Sequence, residues 1–299
     1  MMLHLAILAG LAAGQVPADD TITVTGRRLD KPAATAVAKA MLAVLPPSPR
    51  AGQYARWNMP VCPKVTGLDD RLSARIVAKF RAVATEAGAP VAAADCKTNI
   101  VISFTTDAAA VAARIHASRP ATLNVLADGD RQAILKGNLP VRWWSGLRIE
   151  DSNGLPATTT STALAFAQTN GQGGPMAMGG NDTVATDSYS SSLIDTHVQV
   201  SARAATVLVD VDLATGYRLD AVAAYISMAV LSQAALGGPA DPAQTILGLF
   251  SGASPLTDLS RGDRALLAAL YKIPANRNDR RQRGALTAAM VDALMGTRD

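Results

Sequence analysis

The sequence predicts an α+β protein with a small mixed sheet, flanking helices, an all-helical C-terminal part and one disulfide. Up to about residue 213, short β-branched runs alternate with segments of helical periodicity, whereas only helical segments follow from residue 219. Two cysteines, Cys62 and Cys96, are present in the chain of 299 residues. Because 49% of the residues are hydrophobic and only 4% aromatic, we expect a sizeable core built mainly from aliphatic side chains.

The first eighteen residues have the pattern of a Sec-type signal peptide. An apolar run from Leu5 to Ala13 is followed by Val16-Pro17-Ala18, which offers small residues at a cleavage site. The run is shorter than the roughly 20 apolar residues that span a bilayer, and no cysteine follows it to carry a lipid. We therefore expect cleavage after Ala18, a periplasmic or secreted protein, and no transmembrane segment in the mature chain.

Residues 19–50 are predicted to form an N-terminal linker and helix, and residues 51–299 a single domain. The clearest element is an amphipathic helix from Asp69 to Gly88, which has aspartates at its start and Gly88-Ala89-Pro90 at its end. The other elements predicted here are a helix over Lys31–Leu45, a strand over Asn99–Thr105, a helix over Asp107–Ala117 and a strand within Leu139–Ile149.

The second half begins with a polar stretch. Residues 151 to about 192 are rich in Ser, Thr, Gly and Asn, so we predict a flexible insertion that buries little apolar surface. A strand is predicted over Asp195–Leu213. Helices separated by glycine and proline follow over Leu219–Ala235, Pro242–Ser251, Ser260–Tyr271 and Arg281–Met295.

The two cysteines predict a disulfide between Cys62 and Cys96. An even number of cysteines in an exported chain is typical of a bridge, and a metal or redox role would need more ligands or a Cys-x-x-Cys pattern. Closing a loop of 34 residues contributes about 3–4 kcal/mol by the chain-entropy estimate. We expect the bridge to tie the start of the Asp69–Gly88 helix to the start of the following strand.

Charge limits the classes of partner. The net charge is +4 with 17% charged residues, which is too dilute to predict nucleic-acid binding. The densest basic run comprises Arg277, Arg280, Arg281 and Arg283. We interpret it as the solvated start of the last helix, with a patch that binds the cell envelope as the alternative.

Two groups pair arginine with tryptophan: Arg56-Trp57 and Arg142-Trp143-Trp144. Such pairs could stack on a sugar or a peptide. They are equally typical of core anchors whose arginines extend along the surface, and both interpretations stay open at this point.

Catalytic motifs are incomplete. His197 lies near Asp195 and Ser190–Ser192, the residue types of a hydrolase triad, but no Gly-x-Ser-x-Gly elbow presents a nucleophile. Asp210 and Asp212 could form an acid/base pair or a Ca²⁺ site, although a solvated strand face is more typical. A glycine-rich loop lacks the Gly-Lys-Ser/Thr ending of a phosphate-binding loop. We assign no catalytic residue, metal ligand or cofactor.

Six short segments carry a resemblance to known sequences: Tyr54–Pro63, Gly67-Leu68, Cys96 with Asn99-Ile100, Tyr225–Ala229, Thr245–Phe250 and Asp263–Tyr271. Together they resemble a group of exported proteins of sphingomonads and related alphaproteobacteria, for which no activity is assigned. In addition, Thr21–Arg28 resembles the stretch after the signal peptide in TonB-dependent receptors of sphingomonads, although no plug or barrel pattern follows. The layout of the group distantly resembles that of zincin metallopeptidases.

The zinc chemistry of a zincin is missing. Its motif, His-Glu-x-x-His, places two histidine ligands and a glutamate base on one helix face. The corresponding helix, Asp220–Gln233, contains no histidine and no glutamate. After Ala18 the only histidines are His116 and His197, and the only glutamates are Glu86 and Glu150. We therefore predict that the protein is not a zinc metallopeptidase.

Two hypotheses about function follow. We favour an exported, non-catalytic protein that binds an envelope component or a partner protein. The alternative is a periplasmic hydrolase whose site is built from residues that are not adjacent in sequence. Convergence of Asp210, Asp212, His197 and Trp144 in one pocket would favour the hydrolase.

Overall fold

The computed structural model describes residues 29–48, 52–124, 126–151, 154–161, 182–185, 196, 198–236, 244–252 and 256–296. The predicted signal peptide, His197 and most of the predicted insertion lie outside these ranges. Within them the strands are β1 (Pro63–Thr66), β2 (Ile100–Thr105), β3 (Val141–Asp151), β4 (Thr158–Ser161), β5 (Asp182–Ala185) and β6 (Val198–Asp210).

Four of these strands form a mixed sheet in the order β1-β2-β6-β3. Strands β1, β2 and β6 are parallel, so their carboxyl ends lie at one edge of the sheet. Strand β3 runs antiparallel to β6, with a register shift between Gly146 and Leu147. Strands β4 and β5 form a separate antiparallel pair inside the segment predicted as an insertion.

The helices complete the predicted α+β class, and only helical elements follow Leu219. They are α1 (Lys31–Leu42), α2 (Asp70–Ala87), α3 (Ala108–Ser118), α4 (Ala121–Asn124), α5 (Asp128–Lys136), α6 (Leu219–Ser232), a 3₁₀ helix (Ile246–Ser251), α7 (Arg261–Lys272) and α8 (Asp279–Gly296). The mixed sheet, the flanking helices and the helical C-terminal part are therefore confirmed.

Alternating side chains place the sheet between two helical layers. On one face, residues such as Ile102, Trp143 and Val207 pack with α2 and α6 in the main core. On the other face, Trp144 and Leu208 pack with residues of α3, α4 and α5. The period of two residues along a strand explains why neighbours such as Trp143 and Trp144 enter different cores.

Helix α6 is buried on nearly all sides, so its last carbonyl groups need partners inside the protein. The Trp57 indole N–H donates to the Val230 carbonyl at 2.9 Å, and the Tyr271 hydroxyl donates to the Leu231 carbonyl at 2.9 Å. Gln233 ends the helix in the left-handed region with φ 56°. Two aromatic side chains from distant parts of the chain thus cap the central helix.

The Cys62–Cys96 disulfide is confirmed, with the two Cα atoms 6.0 Å apart. Cys62 immediately precedes β1, and Cys96 lies in the loop before β2. The Asn99 side chain accepts the Cys62 N–H at 2.7 Å and donates to the Pro60 carbonyl at 2.9 Å. The bridge therefore joins the starts of two neighbouring strands; the expectation that it would tie down the helix directly was wrong, because β1 lies between Cys62 and α2.

Several boundaries differ from the sequence predictions by about three residues; for example, the predicted strand Asp195–Leu213 is described as Val198–Asp210, and the predicted helix Leu219–Ala235 ends at Ser232. Helix α1 ends at Leu42 instead of Leu45, because the N–H groups of Ala43, Val44 and Leu45 bond three residues back and tighten the chain before Pro46. The described part of the predicted Pro242–Ser251 helix is a 3₁₀ helix over Ile246–Ser251. Strands β1, β4 and β5 and helices α4 and α5 had not been predicted.

Candidate functional site

The carboxyl edge of the parallel strands is the usual position of a ligand site in an α/β sheet. Asp69, Asp107 and Asp210 lie there, but their carboxylates bond to the protein's own backbone. Asp69 accepts the Leu72 N–H at 2.9 Å and Asp107 the Ala110 N–H at 2.8 Å, so both cap helices. Asp210 accepts the N–H groups of Ala108 and Leu213, each at 3.2 Å. These aspartates therefore stabilise the helix starts and the turn at this edge of the sheet.

The interpretation of Asp210 and Asp212 as a solvated strand face was wrong. Strand β6 ends at Asp210, which is only 6% exposed, and Asp212 lies exposed in the turn beyond it. Trp144 pairs with Thr206, four residues before Asp210 and thus about 13 Å along the strand. Among the residues that the structure describes, Asp210, Asp212 and Trp144 do not converge on one pocket.

The tryptophans of both Arg-Trp groups are buried core anchors. Their arginines bind backbone carbonyls. Arg56 donates to the Leu270 and Ile273 carbonyls at 2.5 and 2.6 Å, and burial lowers its pKa. Arg142 is only 2% exposed and donates to the Ile134, Gly137 and Leu139 carbonyls. The expectation that these arginines extend along the surface was therefore wrong for Arg142.

The remaining candidate ligands are dispersed. Glu150 is buried and forms an ion pair with Arg203, Glu86 pairs with Arg264 at 3.1 Å, and His116 lies in the last turn of α3. Within the described ranges, no three His, Cys, Asp or Glu side chains are grouped as metal ligands. The absence of zinc stays a prediction.

A groove of about 570 Å³ lies between the first turns of α1 and one face of α8. It is lined by Lys31, Thr35, Arg280, Arg283, Gly284, Thr287, Ala288, Val291 and Asp292. The α8 residues recur every three or four positions from Arg280 to Asp292, which is the spacing of one helix face. This stretch is about 18 Å long at 1.5 Å per residue.

Local contacts fix which side of α8 faces the groove. The Asn278 side chain accepts the Arg281 N–H at 3.0 Å and caps the start of the helix. On the buried side, the Gln282 carboxamide accepts the Tyr54 N–H at 2.8 Å and donates to the Ala275 carbonyl at 2.8 Å. With Gln282 directed inward, Arg280 and Arg283 are exposed along the groove.

The cations of the groove form no ion pair with a carboxylate in the part of the chain that the structure describes. In the described part of the chain, the ion pairs involve Arg75, Lys79, Arg131, Arg203 and Arg264, and none involves Lys31, Arg280 or Arg283. Arg283 instead lies over the Tyr54 ring, 5.9 Å from its centroid. Burial raises the Tyr54 pKa, which the charge of Arg283 partly opposes. The Tyr54 ring thus positions the Arg283 guanidinium without neutralising its charge, which remains free to bind an anion.

Gly284 opens the middle of the groove. A Cβ atom built at this position meets no atom within 4 Å, so no packing contact requires glycine there. Glycine inside a helix costs about 1 kcal/mol relative to alanine. The effect of Gly284 is to leave space between Arg283 and Ala288 along the helix surface.

We expect Gly284→Ala to raise the free energy of unfolding by about 0.5–1 kcal/mol, because alanine restricts the unfolded chain and fits without contact. Chemical denaturation measures this change. Gly67→Ala is the contrasting variant: Gly67 has φ +85°, and its Cβ would clash with the Phe104 carbonyl. Loss of stability in Gly284→Ala would contradict the open space at this position.

Only part of the groove could be predicted from the sequence. The basic run drew attention to Arg280 and Arg283, but Lys31 is separated from them by most of the chain.

Comparison with known proteins gives no family model, no curated protein and no solved structure that matches the chain. None of the helices in the described ranges has the length and apolar character needed to cross a membrane.

Proposed function

We propose that the protein is an exported, non-catalytic binding protein that recognises an anionic component of the cell envelope through the groove between α1 and α8. The observation that carries the proposal is the presence of Lys31, Arg280 and Arg283 on one groove without a carboxylate partner in the described chain. Export rests on the signal-peptide pattern of residues 1–18 and is compatible with the Cys62–Cys96 bridge.

Electrostatics supports an anionic ligand over a neutral one. Lys31 is the first residue of α1 and Arg280 the second of α8, so both helices begin at this groove. The positive ends of the two helix dipoles add to the charges of the side chains, and this contribution is partly offset by Asp30, which caps α1, and by Asp279 in the first turn of α8. Arginine also presents a planar fork of donors that suits phosphate and carboxylate oxygens.

The hydrolase hypothesis receives less support. Its strongest carboxylate candidate, Asp210, is occupied by two backbone N–H groups. None of Asp210, Asp212 and Trp144 lines the groove. A protein that binds through exposed cations needs none of these residues, so we favour binding over catalysis.

The proposal is tested by cosedimentation of the chain beginning at Asp19 with vesicles of phosphatidylcholine and phosphatidylglycerol. We expect binding that requires the anionic lipid and weakens with added salt. Arg280→Gln combined with Arg283→Gln should weaken it about 30-fold, since each basic residue near an anionic surface contributes about 1 kcal/mol.

The matched control removes the same charge elsewhere. Arg71 and Arg119 are exposed on α2 and at the end of α3, away from the groove. Arg71→Gln combined with Arg119→Gln should retain most of the binding. Equal losses in the two double variants, or wild-type binding no stronger than to phosphatidylcholine alone, would refute the proposal. Export fails separately if protein recovered from the cell envelope still begins at Met1.

A further inference from the structure

We propose that the ligand of the groove is a phosphomonoester carried on an apolar stem, such as a lipid whose headgroup ends in a phosphate. This inference rests on the proposed function and adds the chemical class of the ligand. It is carried by the charge of the groove, the position of that charge along α8, and the apolar surface beside it.

The charge of the lining matches a dianion. The residues that line the groove are three cations, Lys31, Arg280 and Arg283, and one carboxylate, Asp292, a net of two positive charges; Asp30 and Asp279, which precede Lys31 and Arg280, lie outside the lining. A phosphomonoester carries a charge of about −1.5 to −2 at pH 7. A phosphodiester or a single carboxylate carries only one charge and would leave the site incompletely neutralised.

The charge is also polarised along the groove. Arg280 and Arg283 lie in the first turns of α8, whereas Asp292 lies nine residues beyond Arg283, about 13 Å along the helix. This separation exceeds the screening length of about 8 Å at physiological salt. The phosphate is therefore directed to the amino-terminal end, and a second anionic group at the far end is disfavoured.

The space between these ends suits an apolar stem. Gly284, Ala288 and Val291 follow one another on the groove face at intervals of four and three residues. No charged side chain lines the groove between Arg283 and Asp292: Ala288 is exposed, Val291 is 6% exposed, and the Thr287 hydroxyl donates to the Arg283 carbonyl at 2.9 Å. A volume of about 570 Å³ is within the range of small-molecule sites, about 300–1,000 Å³, and leaves room beyond a phosphate.

Three probes separate the elements of the proposal in calorimetric titrations of the full mature chain. Dihexanoyl phosphatidic acid has a phosphomonoester and a stem, dihexanoyl phosphatidylglycerol has a phosphodiester and a stem, and glycerol 3-phosphate has a phosphomonoester alone. All are used below their micellar concentrations. We expect the phosphatidic acid to bind at least about tenfold more tightly than either of the other probes.

Gly284→Phe tests the stem, because its ring would fill the groove from a position whose Cβ meets no other atom. We expect it to reduce phosphatidic acid affinity about tenfold or more and glycerol 3-phosphate affinity by less. Gly129→Phe is the matched control: Gly129 lies on α5, its Cβ also meets nothing within 4 Å, and it is outside the groove. Binding of glycerol 3-phosphate shows in each variant that the site is folded.

The outcomes distinguish this inference from the proposed function. Equal affinity for phosphatidic acid and phosphatidylglycerol, with both lost in the Arg280→Gln and Arg283→Gln double variant, would overturn the phosphomonoester while leaving an anionic ligand. Unchanged phosphatidic acid binding in Gly284→Phe would overturn the stem. Failure of all three probes and of anionic vesicles would overturn both proposals.

Discussion

Replacing Cys62 and Cys96 together with alanine should lower the free energy of unfolding by about 3 kcal/mol. The bridge closes a loop with a sequence separation of 34 residues, and its removal returns conformational entropy to the unfolded chain. We expect the loss of stability to affect β1 most. This four-residue strand lies at the edge of the sheet, and its start is held by the bridge and by Asn99. Urea unfolding monitored by circular dichroism measures the change.

Reduction provides the control for this prediction. Wild-type protein in reducing buffer should lose about the same stability as the double variant, and the double variant should not respond to reductant. A difference below about 1 kcal/mol between oxidised and reduced wild-type protein would show that the bridge adds little to the packing of β1 and β2.

Asp263→Ala should cost about 3 kcal/mol or more. Asp263 is fully buried and accepts hydrogen bonds from the Thr245 hydroxyl at 2.5 Å, the Ile246 N–H at 2.9 Å and the Ser260 N–H at 2.8 Å. It thereby joins the 3₁₀ helix to the capping box at the start of α7. Alanine leaves three donors without their acceptor, two of them buried and the Ser260 N–H part-buried, and each buried loss costs about 1–3 kcal/mol.

Measuring the stability of wild type and of Asp263→Asn at several pH values separates the effect of the side chain's shape from that of its charge. Burial raises the Asp263 pKa, although the hydrogen bonds from Thr245, Ile246 and Ser260 oppose the rise. A raised folded pKa means that the contribution of Asp263 is fully present below the ordinary pKa of 3.8 and declines as pH rises through the folded value. The advantage of wild type over Asp263→Asn should therefore grow as pH is lowered towards 4.

The control for Asp263 is Asp128→Ala. Asp128 is the exposed first residue of α5 and forms a surface pair with the nearby Arg131, so its loss should cost at most about 1 kcal/mol. Comparable losses at positions 263 and 128 would mean that the buried contacts of Asp263 contribute no more than a surface pair.

Elements with complete local signals were predictable from sequence. Helix α2 has an aspartate cap, a regular apolar stripe and a left-handed Gly88 at its end, and its bounds agree closely with the prediction. The disulfide followed from the number of cysteines and the export signal. In contrast, β1 has only four residues, and α5 buries only Ile134, so neither has a periodic pattern strong enough to detect.

Features formed by distant segments were not predictable in the same way. Asp210 looked solvated because its partner Ala108 belongs to a helix that is remote in sequence but packs at the same sheet edge. The groove requires the start of α1 and a face of α8, which the periodicity of either segment alone does not bring together. Local patterns report what one segment prefers, whereas these features depend on which segments meet.

Helix α1 packs against α7 and α8, the last helices of the described chain. During synthesis or translocation from the amino terminus, its apolar residues Ala34, Ala38, Met41 and Leu42 therefore emerge long before their partners. Until residues 261–296 have followed, these side chains lack the partners that bury them in the folded protein. Completion of this outer layer is thus a late event in folding, and only a chain translated through α8 can assemble the groove.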